Sequence, residues 1–374
     1  MRRKTFAFCI LISIVAIASI DISATEIVRD PTKKKGAGTP FRIRRGKKWG
    51  YMDRTGKVLI EPQFDSARDF FHGVAAVSRN KKSGYINEKG EEVIPFSFDV
   101  ALDFTGEIAP VLVGRKWGYI DLSGRWVVSP QFQAAAEVRD GRALVILWNR
   151  VQCQSGFFTN KNAPIHVFLI PTLITTLETG CFPLKEKYGF IDTSGKFVVQ
   201  PSLSIAEDFS EGLALFMVKD KFGYIDVNGN TVIAPQFRFG GSFSEGMAAV
   251  ELNHKYGYID KAGKWVIEPK FDIAFGFSEG LAKVVIDGKI GYIDKTGQMV
   301  IAPQFADGWN FSEGLAAVYK DYEWGYIDRS GTIVLRLGRA RWGFSDGLTV
   351  IGTYSDQLYV DKTGKIIAPY DVGY

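Results

Sequence analysis

Aromatic residues recur in pairs that flank a single Gly, and this spacing is that of a ligand-stacking surface or of a repeated core. Because side chains two positions apart share one face of a strand, aligned copies would form two aromatic columns. Exposed, coplanar columns would be a platform for sugar rings or an extended peptide, whereas buried columns would form the core between copies. The candidate binding residues are Trp49, Tyr51, Trp117, Tyr119, Tyr256, Tyr258, Trp324 and Tyr326.

Acidic residues recur beside a second set of glycines. They are Glu211, Glu245, Glu279, Glu313 and Asp346. Aligned in a row, these carboxylates would bind a cation or a basic partner; as solvated turns they would be partly screened. Carboxylate pairs also catalyse glycoside hydrolysis. That chemistry needs carboxylates in different environments, and identical copies supply identical ones. We therefore predict no catalytic residue and no enzyme activity.

Few residues are available for metal or phosphate chemistry. His72, His166 and His254 occupy unrelated places and lack the spacing of a metal site. We predict no metal and no cofactor. Residues 1–48 hold twelve Lys and Arg against three acidic residues, which leaves the rest of the chain mildly acidic although its net charge is +5. A nucleic-acid partner is not expected, because it needs a basic stripe on the folded domain.

The first residues have the pattern of a secretory signal peptide. Basic Arg2-Arg3-Lys4 precedes an apolar run of fifteen residues, Phe6 to Ile20, and small residues offer cleavage after Ala18 or Ala24. We predict a signal peptide over 1–24, a basic linker over 25–39 and export to the periplasm, cell surface or medium. No transmembrane segment is expected after cleavage. The alternative is an uncleaved anchor, for which the run is shorter than the usual twenty or so apolar residues.

Cleavage would leave two cysteines, Cys153 and Cys181. In an oxidising compartment, two thiols that lie 28 residues apart in the sequence can pair. We predict a disulfide that stabilises the surrounding segment by about 3–4 kcal/mol in the chain-entropy description, or less if it is strained. The alternative is that both thiols are buried and unpaired.

A 34-residue repeat organises the remaining chain. The Gly that precedes an aromatic–aliphatic–Asp tripeptide, or a close variant of it, recurs every 34 residues, with one step of 71. Its positions are Gly50, Gly84, Gly118, Gly189, Gly223, Gly257, Gly291 and Gly325. With a degenerate copy in the long step and a last copy around Tyr359, ten copies span 40–374. The irregular segment 149–186 is interpreted as a degenerate repeat packed on its neighbours, or alternatively as a partner-binding protrusion.

Each copy has the pattern of short antiparallel strands. In one copy, 255–260 and 264–267 flank an Asp-x-x-Gly turn, and 281–285 follows a Pro- and Gly-rich excursion. The Asp side chain can accept hydrogen bonds from turn N–H groups, and the Gly adopts the positive φ of such loops. No helix-length stretch with a 3.6-residue period follows the signal. The pattern predicts an all-β protein with three strands in each unit.

The segments 48–51, 116–121 and 311–316 read KWGY, KWGYID and FSEGLA, and they resemble the WG repeat of bacterial proteins, also called the KWG repeat. The resemblance covers most of the chain after residue 40. It implies an all-β repeat scaffold with interaction roles and no shared catalytic activity.

Ten three-stranded copies exceed the usual four to eight four-stranded blades of a propeller, so we predict an open superhelical solenoid. A β-propeller, or two arrays separated at the irregular segment, is the alternative. The function expected is an exported, non-catalytic interaction scaffold that binds a protein or an envelope polysaccharide. The alternative is a carbohydrate- or cell-wall-binding module that uses the aromatic columns.

Overall fold

The computed structural model describes residues 39–148, 151–153, 181–183, 186–338, 342–351 and 358–367. Within 151–153 and 181–183 it describes the backbone alone. All regular structure in these residues is β-strand, so the predicted all-β class is confirmed. None of these residues forms a helix long and apolar enough to cross a membrane.

Nine antiparallel sheets, here called blades 1 to 9, follow one another along 41–367. Blades 1 to 3 contain β1 (Phe41–Arg45), β2 (Lys48–Met52) and β3 (Val58–Phe64); β4 (Ser66–Ala67), β5 (Val74–Arg79), β6 (Lys82–Asn87) and β7 (Glu92–Phe98); and β8 (Val100–Ala101), β9 (Ile108–Val113), β10 (Lys116–Asp121) and β11 (Trp126–Phe132). Blade 4 contains β12 (Ala134–Arg139), β13 (Arg142–Trp148), β16 (Glu186–Asp192) and β17 (Phe197–Leu203), while β14 (Val151–Cys153) and β15 (Cys181–Pro183) pair separately.

The remaining blades repeat this order. Blades 5 and 6 contain β18 (Ile205–Ala206), β19 (Leu213–Val218), β20 (Lys221–Asp226) and β21 (Thr231–Phe237); and β22 (Phe239–Gly240), β23 (Met247–Leu252), β24 (Lys255–Asp260) and β25 (Trp265–Phe271). Blades 7 to 9 contain β26 (Ile273–Ser278), β27 (Leu281–Ile286), β28 (Lys289–Asp294) and β29 (Met299–Phe305); β30 (Asp307–Gly308), β31 (Ala316–Lys320), β32 (Glu323–Ile327) and β33 (Ile333–Gly338); and β34 (Leu348–Ile351), β35 (Leu358–Asp361) and β36 (Ile366–Ile367).

The turn between the last two strands of a blade forms as its sequence predicts. In blade 1, Asp53 Oδ1 accepts hydrogen bonds from the backbone N–H groups of Thr55, at 2.8 Å, and Lys57, at 3.0 Å. Gly56 has a φ of 89°, a conformation that disfavours any side chain. The hydroxyl of Thr55 also donates to the carboxylate, and this bond lowers the pKa of Asp53. The Asp-x-x-Gly residues therefore build turns.

The repeat Gly is required by its neighbour strand. The last strand of blade 5 bulges opposite Gly223, and a Cβ on Gly223 would lie 2.4 Å from the carbonyl oxygen of Ile233 and 2.7 Å from the nitrogen of Pro235. In blade 5 this Gly therefore leaves room for the backbone of the neighbouring strand. The proline also lacks an N–H group, which discourages pairing beyond this edge strand.

Consecutive blades pack through apolar clusters. One cluster joins Tyr258 and Phe271 of blade 6 to Phe277 and Val284 of blade 7, and equivalent clusters join the other neighbours. Each blade therefore buries its surface against the next.

The array closes on itself. Phe41 and Ile43 of blade 1 share a core cluster with Leu348 and Tyr359 of blade 9, and the rings of Phe41 and Tyr359 lie 5.6 Å apart. The Tyr359 hydroxyl donates to the Arg42 carbonyl at 2.7 Å. These contacts make the nine blades a ring, a β-propeller. The predicted open solenoid is wrong, because the last blade packs on the first.

The predicted count of ten three-stranded units also changes. An additional first strand makes seven of the nine blades four-stranded; it has two residues in five of them, as in β4, and six residues in β12 and β26. The segment 149–185 lies between β13 and β16, the second and third strands of blade 4, and these two strands pair directly. It is therefore an insertion within a blade and not a tenth copy.

Candidate functional site at the inner positions of the blades

The repeated tyrosine of each blade is a structural donor. Its hydroxyl donates to a backbone carbonyl of the next blade at 2.7–2.8 Å, in every blade whose residue at this place is Tyr. Burial raises the pKa of the tyrosines at this place in blades 1 to 3 and 5 to 8, that of Tyr326 to about 12, so these hydroxyls keep their protons at neutral pH. Blade 4 has Phe190 here and lacks the hydroxyl.

The candidate aromatic residues lie mostly within these interfaces. Tyr51, Tyr119, Tyr258 and Tyr326 are fully buried, and Trp117 is buried. Trp49, Tyr256 and Trp324 are half-buried. The columns thus lie between the blades, an arrangement that favours the scaffold interpretation over an open platform for sugars.

The acidic row also joins neighbouring blades. Glu245 accepts a hydrogen bond from the Gly280 N–H at 3.0 Å, and its carboxylate is 3.1 Å from Lys295 Nζ. Glu211, Glu279 and Glu313 accept equivalent bonds from Gly246, Gly314 and Gly347. In the ring-closing contact, Asp346 lies 2.8 Å from Arg54 of blade 1. These carboxylates stabilise the ring at its blade-to-blade contacts.

The histidines do not assemble. His254 is largely exposed, 3.8 Å from Glu251, His72 lies in a turn of blade 2, and His166 lies outside the described residues. The described part of the chain contains no group of three or more His, Cys, Asp or Glu that could hold a metal ion.

At one position of each blade the residue type is not repeated. We define the inner position as the residue of each blade whose backbone carbonyl accepts the hydroxyl of the preceding blade, or its equivalent beside Phe190. From blade 2 to blade 9 it is Arg68, Leu102, Ala136, Glu207, Gly241, Phe275, Trp309 and Trp342. The backbone role is constant, while the side chain changes in size and charge.

The contacts of Arg68 show on which side of the blades the inner positions lie. Its guanidinium donates two hydrogen bonds to Asp103 of blade 3, at 2.7 and 3.1 Å, and one to Glu137 of blade 4, at 2.7 Å. A side chain of blade 2 can reach blade 4 only where the blades converge. The inner positions therefore lie on the side of the blades that faces the ring axis.

Arg42, Arg68, Asp69, Asp103 and Glu137 form what we call the charged cluster. Arg42 of blade 1 is 3.0 Å from Asp69 of blade 2. Burial alone disfavours the charged form of Arg68, but the adjacent carboxylates of Asp103 and Glu137 outweigh it and raise the pKa of the guanidinium. The cluster links four blades through paired charges.

Phe275, Trp309 and Trp342, with Lys283, form what we call the aromatic strip. Phe275 and Trp309 are each 38% exposed, and the rings of Trp309 and Trp342 lie 5.7 Å apart. Lys283 Nζ lies 4.0 Å from the centre of the Phe275 ring and donates to the carbonyl of Gly308 at 2.7 Å. Stacking faces and one ammonium group thus lie together across three consecutive blades.

Comparison with known families identifies the repeat. The family described as WG containing repeat matches residues 49–82, 84–117, 117–147, 188–222, 222–256, 256–289 and 290–324, which is more than half of the chain. The chain belongs to the WG repeat family. The resemblance noted in the sequence is confirmed, and the unmatched stretch 148–187 includes the insertion in blade 4.

The solved structures that match this WG repeat protein share little sequence with it. A eukaryotic initiation factor is 12% identical with a TM-score of 0.47, and the alignment covers 82% of this chain and 91% of that one. BamB from Moraxella catarrhalis is 13% identical with a TM-score of 0.37, and the alignment covers 78% and 87% of the two chains. A comparison with curated proteins gave no match.

The predicted disulfide concerns the insertion of blade 4. The backbones of Cys153 and Cys181 lie directly opposite each other in the β14–β15 pair. Their side chains lie outside the described residues, so the bond stays a prediction. Mass spectrometry of the non-reduced mature protein tests it, and two free thiols under oxidising conditions would contradict it. The predicted signal peptide also lies outside the described residues.

Neither the charged cluster nor the aromatic strip was predicted from the sequence. The residues predicted from the sequence recur in each WG repeat, and the recurrent polar groups stabilise the ring. The charged cluster and the aromatic strip instead include residues that differ from copy to copy. Aligning the copies every 34 residues and asking which column changes chemistry would have selected the inner position.

Proposed function

We propose that this WG repeat protein is an exported, non-catalytic interaction scaffold, and that it holds a protein or an envelope polysaccharide on the inner positions of its blades. The single observation that carries the proposal is the contrast between repeated and variable residues. The repeated tyrosines, glutamates and glycines are used in contacts within and between blades, whereas the inner position carries partly exposed Phe275 and Trp309.

Exposed aromatic side chains of this kind support a binding role. Aromatic residues supply large contact areas at low entropic cost and are enriched where proteins bind partners. In the same column Ala136 and Gly241 occupy blades 4 and 6, so the fold accepts small residues there. The rings are therefore not required to build a blade. Export is supported by the charged, apolar and small-residue segments of 1–24.

Site-specific photocrosslinking in the native host tests the binding surface. A benzophenone amino acid replaces Trp309, and a control copy carries it at Val300, an exposed residue of the last strand of blade 7. We expect a defined crosslinked species, a protein or a glycan, from position 309 alone. Equal crosslinking at both positions, or none at 309, would refute the proposal.

Cell fractionation with N-terminal sequencing tests export. We expect a chain that begins after Ala18 or Ala24 in the envelope or the medium. An intact Met1 in a soluble cytoplasmic fraction would refute this part of the proposal without touching the binding surface.

A further inference from the structure

The aromatic strip is continuous across three blades. Tyr258, Tyr292 and Tyr326 donate to the carbonyls of Phe275, Trp309 and Trp342 at 2.7–2.8 Å, which gives the three rings equivalent backbone positions. Lys283 connects the first two, because its ammonium group contacts the Phe275 ring and the carbonyl of Gly308, next to Trp309. A ligand lying along the strip would meet ring faces in succession.

Lys283, which lies on β27 and contacts the inner residue Phe275, differs from Arg68, the cation at the inner position of blade 2. Arg68 is held by two carboxylates, whereas within the described part of the chain Lys283 Nζ has no carboxylate oxygen within 4.0 Å. An ammonium group has three donors. One of them is satisfied by the Gly308 carbonyl, and Phe275 presents its ring face to the charge. The carboxylate of Asp307 acts on this ammonium group from beyond ion-pair distance. An anionic group of a ligand would therefore be its first direct ion-pair partner.

The required ligand carries flat apolar faces and a carboxylate in one molecule. Acidic sugars have both, because each pyranose ring presents C–H groups on its faces and a carboxylate at its edge. An acidic peptide would have to order several flexible side chains to match three consecutive rings and one ammonium group, and each ordered side chain weakens binding. Each pyranose ring keeps its shape before it binds, so mainly the bonds between the rings must be ordered.

We infer that Phe275, Lys283, Trp309 and Trp342 bind an acidic polysaccharide, with its sugar rings stacked on the aromatic side chains and a carboxylate on the Lys283 ammonium group. This inference rests on the proposed function and names the ligand class of the same surface. The partner is the anionic saccharide chain, and an acidic peptide is an outcome that the experiment separates.

Calorimetric titration of the full mature chain with oligogalacturonate, as the probe, tests the inference. We expect saturable binding that weakens about tenfold in Trp309→Ala and several-fold in Lys283→Met, with a smaller salt dependence in the Lys283 variant. Neutral cello-oligosaccharides should bind more weakly, and Lys283→Met should leave their binding unchanged. Circular dichroism and the unfolding midpoint establish that each variant is folded, and Trp342→Ala is the second stacking variant.

Trp126→Ala is the matched control, because this Trp is 43% exposed but lies on the last strand of blade 3. An equal loss of affinity in Trp126→Ala, or no binding of oligogalacturonate, would overturn the inference. Tighter binding of poly-glutamate than of oligogalacturonate would also overturn it, in favour of an acidic protein. A crosslink at position 309 without saccharide binding would leave the proposed function standing while this inference falls.

Discussion

Blade 2 and blade 8 hold their inner residues with the same backbone bonds but give them different chemistry. The N–H groups of Arg68 and Trp309 each donate to a carbonyl at 2.9 Å, and their own carbonyls each accept a tyrosine hydroxyl at 2.8 Å. Arg68 enters the charged cluster, whereas Trp309 enters the aromatic strip. Backbone contacts thus fix the place of the inner residue, so its side chain can vary without a change of fold.

The largest loss of stability is expected at the repeat Gly, which both blade 2, with the charged cluster, and blade 7, with the aromatic strip, require. Gly84 of blade 2 and Gly291 of blade 7 have matched surroundings, since a Cβ on either would lie 2.7 Å from a backbone carbonyl oxygen. We expect Gly84→Ala and Gly291→Ala to destabilise the protein by about 2–3 kcal/mol each, because the bulged strand must move. Chemical denaturation measures the change.

Gly325→Ala is the control for this pair, because its Cβ would lie 3.0 Å from the nearest backbone oxygen, opposite a strand without proline. Its effect should be smaller. A marked difference between the Gly84 and Gly291 variants would show that the two halves do not share one backbone design.

The next effect belongs to the charged cluster. Asp103→Asn removes the carboxylate that binds Arg68 through two oxygens and leaves a half-buried guanidinium with a weaker partner. We expect a loss of about 2 kcal/mol, most of which the triple variant with Arg68→Met and Glu137→Gln recovers, because Arg68 also pairs with Glu137. Asp321→Asn, an exposed acid in the turn between β31 and β32 of blade 8, is the control and should cost little. Equal effects of the two Asp variants would argue against a stabilising cluster.

Loss of a single tyrosine hydroxyl should lower the stability equally in blade 2 and in blade 7. Tyr85→Phe and Tyr292→Phe each remove one bond, of 2.7 and 2.8 Å, to the next blade. We expect a cost of about 1 kcal/mol in each, measured by the unfolding midpoint. Phe190 shows that one blade already folds without this bond. A loss of stability in only one of the two variants would contradict the conclusion that this hydroxyl-to-carbonyl bond has the same role in each blade.

The smallest effect has the opposite sign. Burial lowers the pKa of Lys283 to about 8, although the charge of Asp307 opposes this, and the neighbouring Tyr292 stays protonated because burial raises its pKa. The fold thus disfavours the charged ammonium group. Lys283→Met should stabilise the protein by about 1 kcal/mol below pH 8.

The gain should shrink as the pH rises from about 8 towards 10.5, where the unfolded lysine also loses its proton. Thermal unfolding at several pH values measures it. Lys289→Met, at the exposed first residue of β28 in the same blade, is the control. A gain that does not change with pH would show that lost packing or flexibility, and not charge burial, explains it.

The sequence predicted the units of this molecule better than their assembly. The 34-residue period, the antiparallel strands and the Asp-x-x-Gly turns depend on local chemistry and could be read from residues such as Asp53 and Gly56. Closure could not, because it depends on small rotations between blades that add up around the ring. The two-residue strand β4 resembles a loop in sequence, and the 71-residue step was close enough to two periods for the insertion to pass as a copy.

Ring closure has a consequence for how such a chain can change over generations. Each interface between neighbours uses the same donors and acceptors, so a duplicated or deleted stretch of 34 codons inside the array would recreate compatible interfaces on both sides. The joint between the last and first blades is different, since Tyr359 donates to Arg42, which lies on β1 itself, whereas Tyr51 donates to Arg68, which follows the short strand β4. Mutations that accompany a change in copy number are therefore expected to accumulate at this joint.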